Sequence, residues 1–536
     1  MMKKTMKRVV AFSLSLVLTA GALVGCGGGD NGGAASKGKS IMIYAQTNGL
    51  GQDWLLHAAD AYQKKTGTEV NVEFDAYLSS NLTTTLESSA TEVGDLYYAS
   101  TYEWAPWSYK ENLVVDLTDF MNEKGEDGQS LNERLTTTKR YILNGEGKEV
   151  QTIVPLQKSP TGFVYNKEMM SYVCHDVLGW EEGHEYPINT KELQEVINAV
   201  EQITADGKNK ELFTYKQNGQ TLDVEAFVWS GSVGMLEFLT KSWLYQYLGE
   251  TGMTAFYNQY ENCDMFNDEA FYVVYQKMVD LLDLQEDSNG EYYSATSIPN
   301  CVSYNHTASQ SQFLMNKALM CPTGSWFYSE MKETITDIDN IGFMPVPYLS
   351  DNAGNPLTAE GVEMPKDEAG NFKNIFYIDA PDYFVIPQRS ENQDEAKNFL
   401  RFIFSKEYMP KLLEDLQTPL AIDFDDSEVE KNAWYQEVEA AIERSQLLDV
   451  WTVSKMQAYE RIGLYHNPGT APFSQLSMSS FGSSTKLIDS ATGKMITDAS
   501  QATGVAVTEN VYNYVKGNYK TAVDNWANSI KVIGGQ

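Results

Sequence analysis

The stretch SIMIYAQTNGLGQDWLLHAADAYQKKTGTEVNVEF, residues 40–74, decides the fold. Ile41 to Ala45 is a short apolar run, followed by a polar turn with two glycines. From Asp53 onward Leu55, Ala58, Ala59 and Tyr62 fall at helical spacing, Gly67 stops the helix, and Val70, Val72 and Phe74 alternate as a strand does. Strand, helix, strand at this spacing is the signature of an α/β fold with a parallel sheet. The next strand is expected at Asp95 to Ala99, running into the aromatic loop Tyr102-Glu103-Trp104-Ala105-Pro106-Trp107. In open α/β sheets ligands bind beyond the C-terminal strand ends. The turn Gln46 to Gln52 and the aromatic loop are therefore expected on one rim.

Upstream of this stretch the chain reads as a leader and a leash. Lys3, Lys4, Lys7 and Arg8 precede an apolar run from Val9 to Val24 that ends in Leu23-Val24-Gly25-Cys26. The run is short for a membrane-spanning helix, which needs about 20 residues, and the small residues before Cys26 form a bacterial lipobox. Residues 1–25 are expected to be a lipoprotein signal peptide. Cys26 becomes the lipidated N-terminus, and residues 26–39 with their Gly-rich GGGDNGGAASKGK form a flexible tether. The folded body beyond the tether is expected on the extracellular face of the cell membrane, held by lipid.

Composition narrows the function. The formal net charge is −33, and such a surface is poorly suited to nucleic-acid binding, which needs clustered Lys and Arg. With 536 residues the chain is long enough for more than one domain. The 32 Tyr and 10 Trp exceed what a core of this size requires, and flat, apolar, hydrogen-bonding side chains suit a sugar-binding cleft. Cys174, Cys263, Cys301 and Cys321 have no tight spacing and no C-x-x-C, so buried free thiols are expected, with no metal and no cofactor.

Farther along, Val154-Pro155-Leu156 crosses into TGFVYNK at 161–167, and Asn189 with Glu192 reads as a capping box ahead of Leu193, Val196, Ile197 and Val200. A helix is expected from Asp268 to Leu284, an extended run at Gly342 to Pro347 and a polar loop over 350–374. In that loop Asp351 and Asn355 miss the EF-hand spacing and read as a solvated turn. Asp382 to Pro387 reads as a strand, and Asn392 with Glu395 as a second capping box before Ala396, Phe399, Leu400 and Ile403. Thr418-Pro419-Leu420 is another extended break, with helices and loops beyond it.

These landmarks, in this order, resemble the bacterial extracellular solute-binding proteins of ABC importers, the group that contains the maltose-binding protein. YQKKTGTEVNVEF is similar to the family's first helix and second strand, GDLYYAS to its third strand, and VPLQKSPTGFVYNKEMM to its crossing segment. FLMNKALMCPTGSW resembles the family's F-x-x-G-K-A-A-M-x-x-x-G-x-W, with Asn316 where the family has Gly, and YFVIPQRSENQDEAKNFLRFIFS resembles its late strand and helix.

The resemblance implies two α/β lobes, each a mainly parallel sheet flanked by helices, joined by crossover hinge strands. Residues 40–156 with 377–417 would make the N-terminal lobe and 157–376 with 418–536 the C-terminal lobe. Trp326 stands at the motif Trp that stacks on sugar, and Tyr328 follows two places later. Trp104 lies in the loop after the third strand, and Trp229 near another cleft aromatic. Ser159 replaces an acidic sugar contact of the maltose-binding protein, which argues against maltose itself. With Gln46, Trp107 and Tyr383 these are the expected ligand-facing residues. The expected partners are a carbohydrate ligand, taken up by a monomer, and a membrane permease, with no chemistry done.

Three rivals are weaker on the sequence. A lipid-anchored glycan hydrolase needs two placed carboxylates, which 73 acidic residues make unremarkable, and neither G-x-S-x-G nor H-E-x-x-H occurs. His57, His175, His184, His306 and His466 are scattered. An adhesin predicts repeats or a β-rich stalk, and neither is visible. A peptide-binding importer component differs only in ligand class.

Overall fold

The computed structural model describes residues 39–449 except 48, 90–92, 101–111, 126–127, 138–141, 144–147, 208, 231–234, 259–268, 287–291, 300 and 379–381, together with 488–489 and 494–495. The leader, Cys26 and the tether, the loop with Trp104 and Trp107, Cys263 and nearly all of the chain beyond 449 lie outside the described residues. None of the helices described is long and apolar enough to cross a membrane.

In chain order, the elements that position the site begin with β1 (Ser40–Gln46), α1 (Asp53–Thr66), β2 (Glu69–Asp75), α2 (Leu78–Glu87), β3 (Leu96–Ala99) and β4 (Val154–Pro155). They continue with β5 (Thr161–Asn166), α3 (Thr190–Asp206), β6 (Glu225–Phe227), α4 (His306–Leu314), β7 (Ala318–Gly324), α5 (Phe327–Met331) and β8 (Ile341–Pro345). The last are β9 (Tyr383–Val385), α6 (Gln393–Ile403), α7 (Met409–Leu416) and α8 (Ala433–Glu443).

The opening stretch folds as its pattern dictates. Ile41, Ile43 and Ala45 are buried, α1 buries Trp54, Leu55, Ala58, Ala59 and Tyr62, and Gly67 ends it at φ 77°, its N–H returning 2.8 Å to Gln63 O. β1 pairs in parallel with both β2 and β3.

Two sheets result. The first runs β2-β1-β3-β9-β4 and the second β6-β7-β5-β8. Each has one reversed strand: β9 is antiparallel to β3 and β4, and β5 is antiparallel to β7 and β8. The reason lies in the crossings. β4 ends beside Tyr383, and six residues later β5 enters the second sheet with Thr161 opposite Gly324, the last residue of β7. Tyr383 starts β9 opposite Ala99, the last residue of β3. A chain that leaves one sheet at its C-terminal edge and enters the other at its C-terminal edge must run against the strands it joins. The two sheets thus meet with the C-terminal edges of their strands, the edges where α/β sheets carry ligand loops.

A third crossing lies alongside the first. Lys158 N–H reaches Pro419 O at 2.9 Å, Ala421 N–H reaches Leu156 O at 3.0 Å, and Gln157 bridges Leu420. The cores follow the sheets. Leu96, Tyr98 and Phe384 face α1, α6 and α7 on one side of the first sheet, while Tyr97, Ala99, Tyr383 and Val385 face Leu78, Leu82 and Leu86 of α2 on the other. The second sheet has one large core that includes α3, α4, α5 and Trp434 of α8. Leu420, Ile422 and Tyr435 pack into the first core.

Three local expectations need correction or explanation. Asn189 does cap α3, accepting Glu192 N–H at 2.9 Å, but the Glu192 carboxylate takes Ile188 N–H instead of completing the box. Asn392 makes no cap hydrogen bond. Its amide donates to Asp95, while Glu395 accepts from Tyr62 and Thr68, each at 2.7 Å, and from Lys39 at 3.1 Å. Asn316 adopts φ 55°, which explains why it can replace a glycine, since Asn tolerates left-handed backbone. Elsewhere the Asp351 carboxylate closes its own turn on Ala353 N–H and on the backbone and side chain of Asn355. Cys174, Cys301 and Cys321 are free and buried.

Candidate functional site at the seam of the two sheets

All seven residues of β7 are buried, and the strand ends at Gly324, where the absence of a side chain sets the position of a nearby ring. A Cβ there would lie 2.1 Å from Cζ3 of Trp326, so the indole can fold back over the strand end only because residue 324 is glycine. Trp326 is the N-cap position of α5, partly buried, and packs against both large cores. From the first sheet the turn after β1 meets it: a Cβ on Gly49 would lie 3.0 Å from Trp326 Cδ1 and 3.3 Å from Glu330 Oε1. Phe238 stands edge-on to the indole, with centroids 6.0 Å apart at 76°. The Trp326 ring therefore sits where the two sheets' edges meet.

One helical turn on, Glu330 N–H bonds to Trp326 O at 3.0 Å. The Glu330 side chain is only 7% exposed; Oε1 pairs with His306 Nε2 at 2.9 Å, and Oε2 is buried without a protein partner. The hydrogen bond to Glu330 outweighs burial and raises the His306 imidazole above its ordinary range. Gln310, one turn after His306 on α4, donates 2.9 Å to Thr323 and leaves its own Oε1 unpartnered.

A buried polar chain runs along the crossings. Tyr98 OH and Gln157 Nε2 both donate to Asp382 Oδ2 at 2.8 Å, and the Thr418 hydroxyl lies 3.4 Å from Gln157 Oε1 and 2.9 Å from Ser325 Oγ. Trp434 donates its indole N–H to Ser325 O at 3.1 Å. Ser159 lies in the same segment at φ 52°, 2% exposed, with no protein partner for its hydroxyl. The next residue, Pro160, accepts Ser325 N–H at 2.9 Å. A left-handed non-glycine residue with an unpaired buried hydroxyl is a local cost that wants a reason.

The expected residues divide. Trp326 packs against both cores, Ser159 lies in the segment joined to it through Pro160 O and Ser325 N–H, and Tyr328 is half-buried against the second core alone. Gln46 is at the C-terminal edge of β1, but its side chain ties that edge together, donating to Ala76 O and accepting from Ser79 N–H, each at 2.8 Å. Trp229 is 2% exposed inside the second core, its N–H on Ser297 Oγ at 3.0 Å. Tyr383 is fully buried on the α2 face of the first sheet. Neither ring presents a face at the seam.

Sequence reasoning passed over three residues. Glu330 follows Trp326 at one helical turn, a spacing legible in GSWFYSE, and His306 comes with it. Tyr77, just beyond the C-terminal end of β2 and one residue from the Gln46 contact, is 71% exposed. A cavity of about 650 Å³ lies elsewhere, lined among others by Tyr186, Phe372, Lys373 and Arg444, none of which packs in the cores of the first sheet. Among the described residues no group of three or more His, Cys, Asp or Glu is placed to hold a metal ion.

Comparison with known proteins gives the family. The model for bacterial extracellular solute-binding proteins matches residues 57–441. No curated protein sequence matches the chain at a significant level. Among solved structures, the solute-binding protein RafE in complex with raffinose superposes with a TM-score of 0.54 at 16% identity, over 89% of this chain and 99% of that one. The GacH receptor of Streptomyces glaucescens, solved unliganded and with acarbose, gives 0.56 at 14% identity, over 90% of this chain and 99% of that one. A chitin oligosaccharide binding protein gives 0.56 at 12% identity, with the same coverage. At these identities the likeness is one of fold, the two-lobed α/β architecture described above. With the family model spanning well over half of its length, the chain belongs to the bacterial extracellular solute-binding proteins.

Proposed function

We propose that this chain is a substrate-binding lipoprotein of an ABC importer, which captures an extracellular oligosaccharide between its two lobes and hands it to a membrane permease. The observation that carries this reading is the position of Trp326, an aromatic ring at the seam of two C-terminal sheet edges that packs against both large cores. An aromatic face covers the C–H side of a sugar ring, and buried polar groups take its hydroxyls. Ser159 Oγ, Gln310 Oε1 and Glu330 Oε2 are buried without a protein partner, and an opening of the seam that exposed them would offer them to a ligand. The ligands of the structural relatives, raffinose, acarbose and chitin oligosaccharides, favour the same ligand class.

A ligand that touches both lobes stabilises the arrangement in which they meet, which is the signal a permease can read. Cys26 would carry the lipid that holds the working monomer at the membrane. The protein binds and releases its ligand unchanged.

The test is thermal denaturation of the chain against raffinose, maltotriose, xylotriose and N,N′,N″-triacetylchitotriose, with peptides and amino acids alongside. A saccharide at 100 times its dissociation constant adds about 2.7 kcal/mol. A melting shift with a saccharide that is recovered intact supports the reading. A shift with peptides alone overturns the ligand class, and consumption of the saccharide moves the protein among enzymes.

A further inference from the structure

The cavity of about 650 Å³ that lies away from the seam is of small-ligand size, a range of about 300–1,000 Å³. Two of its lining side chains are more than nine-tenths buried and still hold an unused polar atom. Asn374, 6% exposed, opens the strand Asn374–Ile378; its amide nitrogen donates to Ile188 O and Val346 O at 3.1 Å each, which fixes the carboxamide and leaves Oδ1 without a protein partner. Tyr186, 8% exposed, makes no hydrogen bond through its hydroxyl among the described residues. Neither atom is sealed from solvent. Buried polar groups are as a rule paired, and two that stop at one cavity point to something that enters it.

The same wall carries free charge of both signs. Arg444, just past α8, lies 5.5 Å from the centre of the Tyr186 ring and donates its Nε–H to Ala440 O at 3.0 Å, and among the described residues neither Arg444 nor Lys373 has an ion pair. Of the acids, Glu185 is held by His175 and by Gly183 N–H, each at 3.0 Å, and Asp367 by the backbone and side chain of Asn371 at 2.8 and 3.0 Å. His184 is taken by Glu192 at 3.1 Å. Glu368 and Glu443 are left, exposed and unpaired among the described residues.

We propose that this cavity binds a free α-amino acid, its carboxylate between the Arg444 guanidinium and the Tyr186 hydroxyl, its ammonium on Asn374 Oδ1, and an apolar side chain against Phe372. The chemistry of each group sets its place. A carboxylate only accepts, and the guanidinium and hydroxyl donate to it, while a carboxamide oxygen only accepts and suits an ammonium. A neutral sugar would leave the charges on the wall unanswered, and an anion without an ammonium would face Glu368 and Glu443 uncompensated. The site is separate from Trp326 and goes beyond the carbohydrate reading, so either can fail alone.

Titration calorimetry with L-phenylalanine and L-leucine on wild-type chain, Tyr186→Phe, Arg444→Gln and Trp326→Ala tests the site, with L-phenylalaninamide and 3-phenylpropionate as analogues that lack the carboxylate or the ammonium. An amino acid that binds wild type and Trp326→Ala alike, and binds Tyr186→Phe and Arg444→Gln each about tenfold more weakly, the loss of one hydrogen bond to a charged group, supports the assignment. Equal affinity in either cavity variant overturns it, and loss of binding in Trp326→Ala places the amino acid at the seam and overturns it too. If neither amino acid binds wild type, the cavity holds water only and the proposal falls. Should a cavity variant fail to fold, the analogues on wild type decide: both must bind at least tenfold more weakly than L-phenylalanine, and an analogue that binds as well overturns the zwitterion reading.

Discussion

Gly324→Ala tests the site through the position of one ring, with no ligand-facing atom removed. The added Cβ would lie 2.1, 2.3 and 2.6 Å from three atoms at the far edge of the Trp326 indole. Carbon atoms settle near 3.6 Å, so the ring edge must retreat by about 1.5 Å. The backbone at 324 is not left-handed, and strain is therefore confined to the indole. A retreat of that size forfeits at least half of the dispersion a stacked sugar ring would gain. We expect a loss of about 1–2 kcal/mol in binding, or roughly 5- to 30-fold in Kd. Gly49→Ala approaches the same ring from the other sheet, but at 3.0 Å, and should cost less because a shift of a few tenths of an ångström relieves it. Calorimetry with the saccharide that raises the melting temperature of wild type reads both variants. Unchanged affinity in Gly324→Ala, with the melting temperature held, refutes Trp326 as the stacking platform.

Other parts of the account are checked independently. Burial pushes the Glu395 carboxyl up, but hydrogen bonds from Tyr62, Thr68 and Lys39 outweigh it and bring the group down to about 2. A depressed carboxyl stabilises the fold above its ordinary range near pH 4.5 and loses that contribution as pH falls toward 2. The contribution is about 3 kcal/mol. Glu395→Gln should lower the urea midpoint at pH 7 and shrink the difference between pH 5 and pH 3; an unchanged pH 7 midpoint would contradict the pairing. Burial holds the Cys174 and Cys301 thiols up to about 12 and raises Cys321 as well, so alkylation at pH 8, resolved by peptide mass, should spare all three until the chain unfolds. Tyr77→Ala, at an exposed ring on the rim, should weaken a bound trisaccharide several-fold without moving the melting temperature. Equal trisaccharide affinity would take Tyr77 out of the site.

The elements were legible in sequence wherever one physical signal ruled. The helical spacing from Leu55 to Tyr62, the stop at Gly67 and the alternation of Val70, Val72 and Phe74 each returned the element expected. The sequence pattern could not show which aromatics reach the seam. In β9 both faces are covered, so Tyr383 and Phe384 are equally apolar in environment, and only register with β3 puts Tyr383 on the α2 face. Trp229 was indistinguishable from Trp326 by composition, and its burial follows from packing between segments distant in sequence. Glu395 carried the right spacing for a cap, but Tyr62 and Thr68, over 300 positions away in sequence, offered stronger donors. The same distance hid Glu330: its partner His306 lies on another helix, and Gly49, whose lack of a side chain lets the Trp326 ring and the Glu330 carboxylate pack close, lies in the other sheet's turn.

The central claim is that an oligosaccharide lies on Trp326 between the two sheets. Titration calorimetry of raffinose, maltotriose, xylotriose and N,N′,N″-triacetylchitotriose into wild type and Trp326→Ala tests it most directly. The account predicts that at least one binds wild type and that Trp326→Ala weakens it about 30-fold or more, the loss of a hot-spot aromatic of ~2 kcal/mol. Equal binding to both proteins would contradict it.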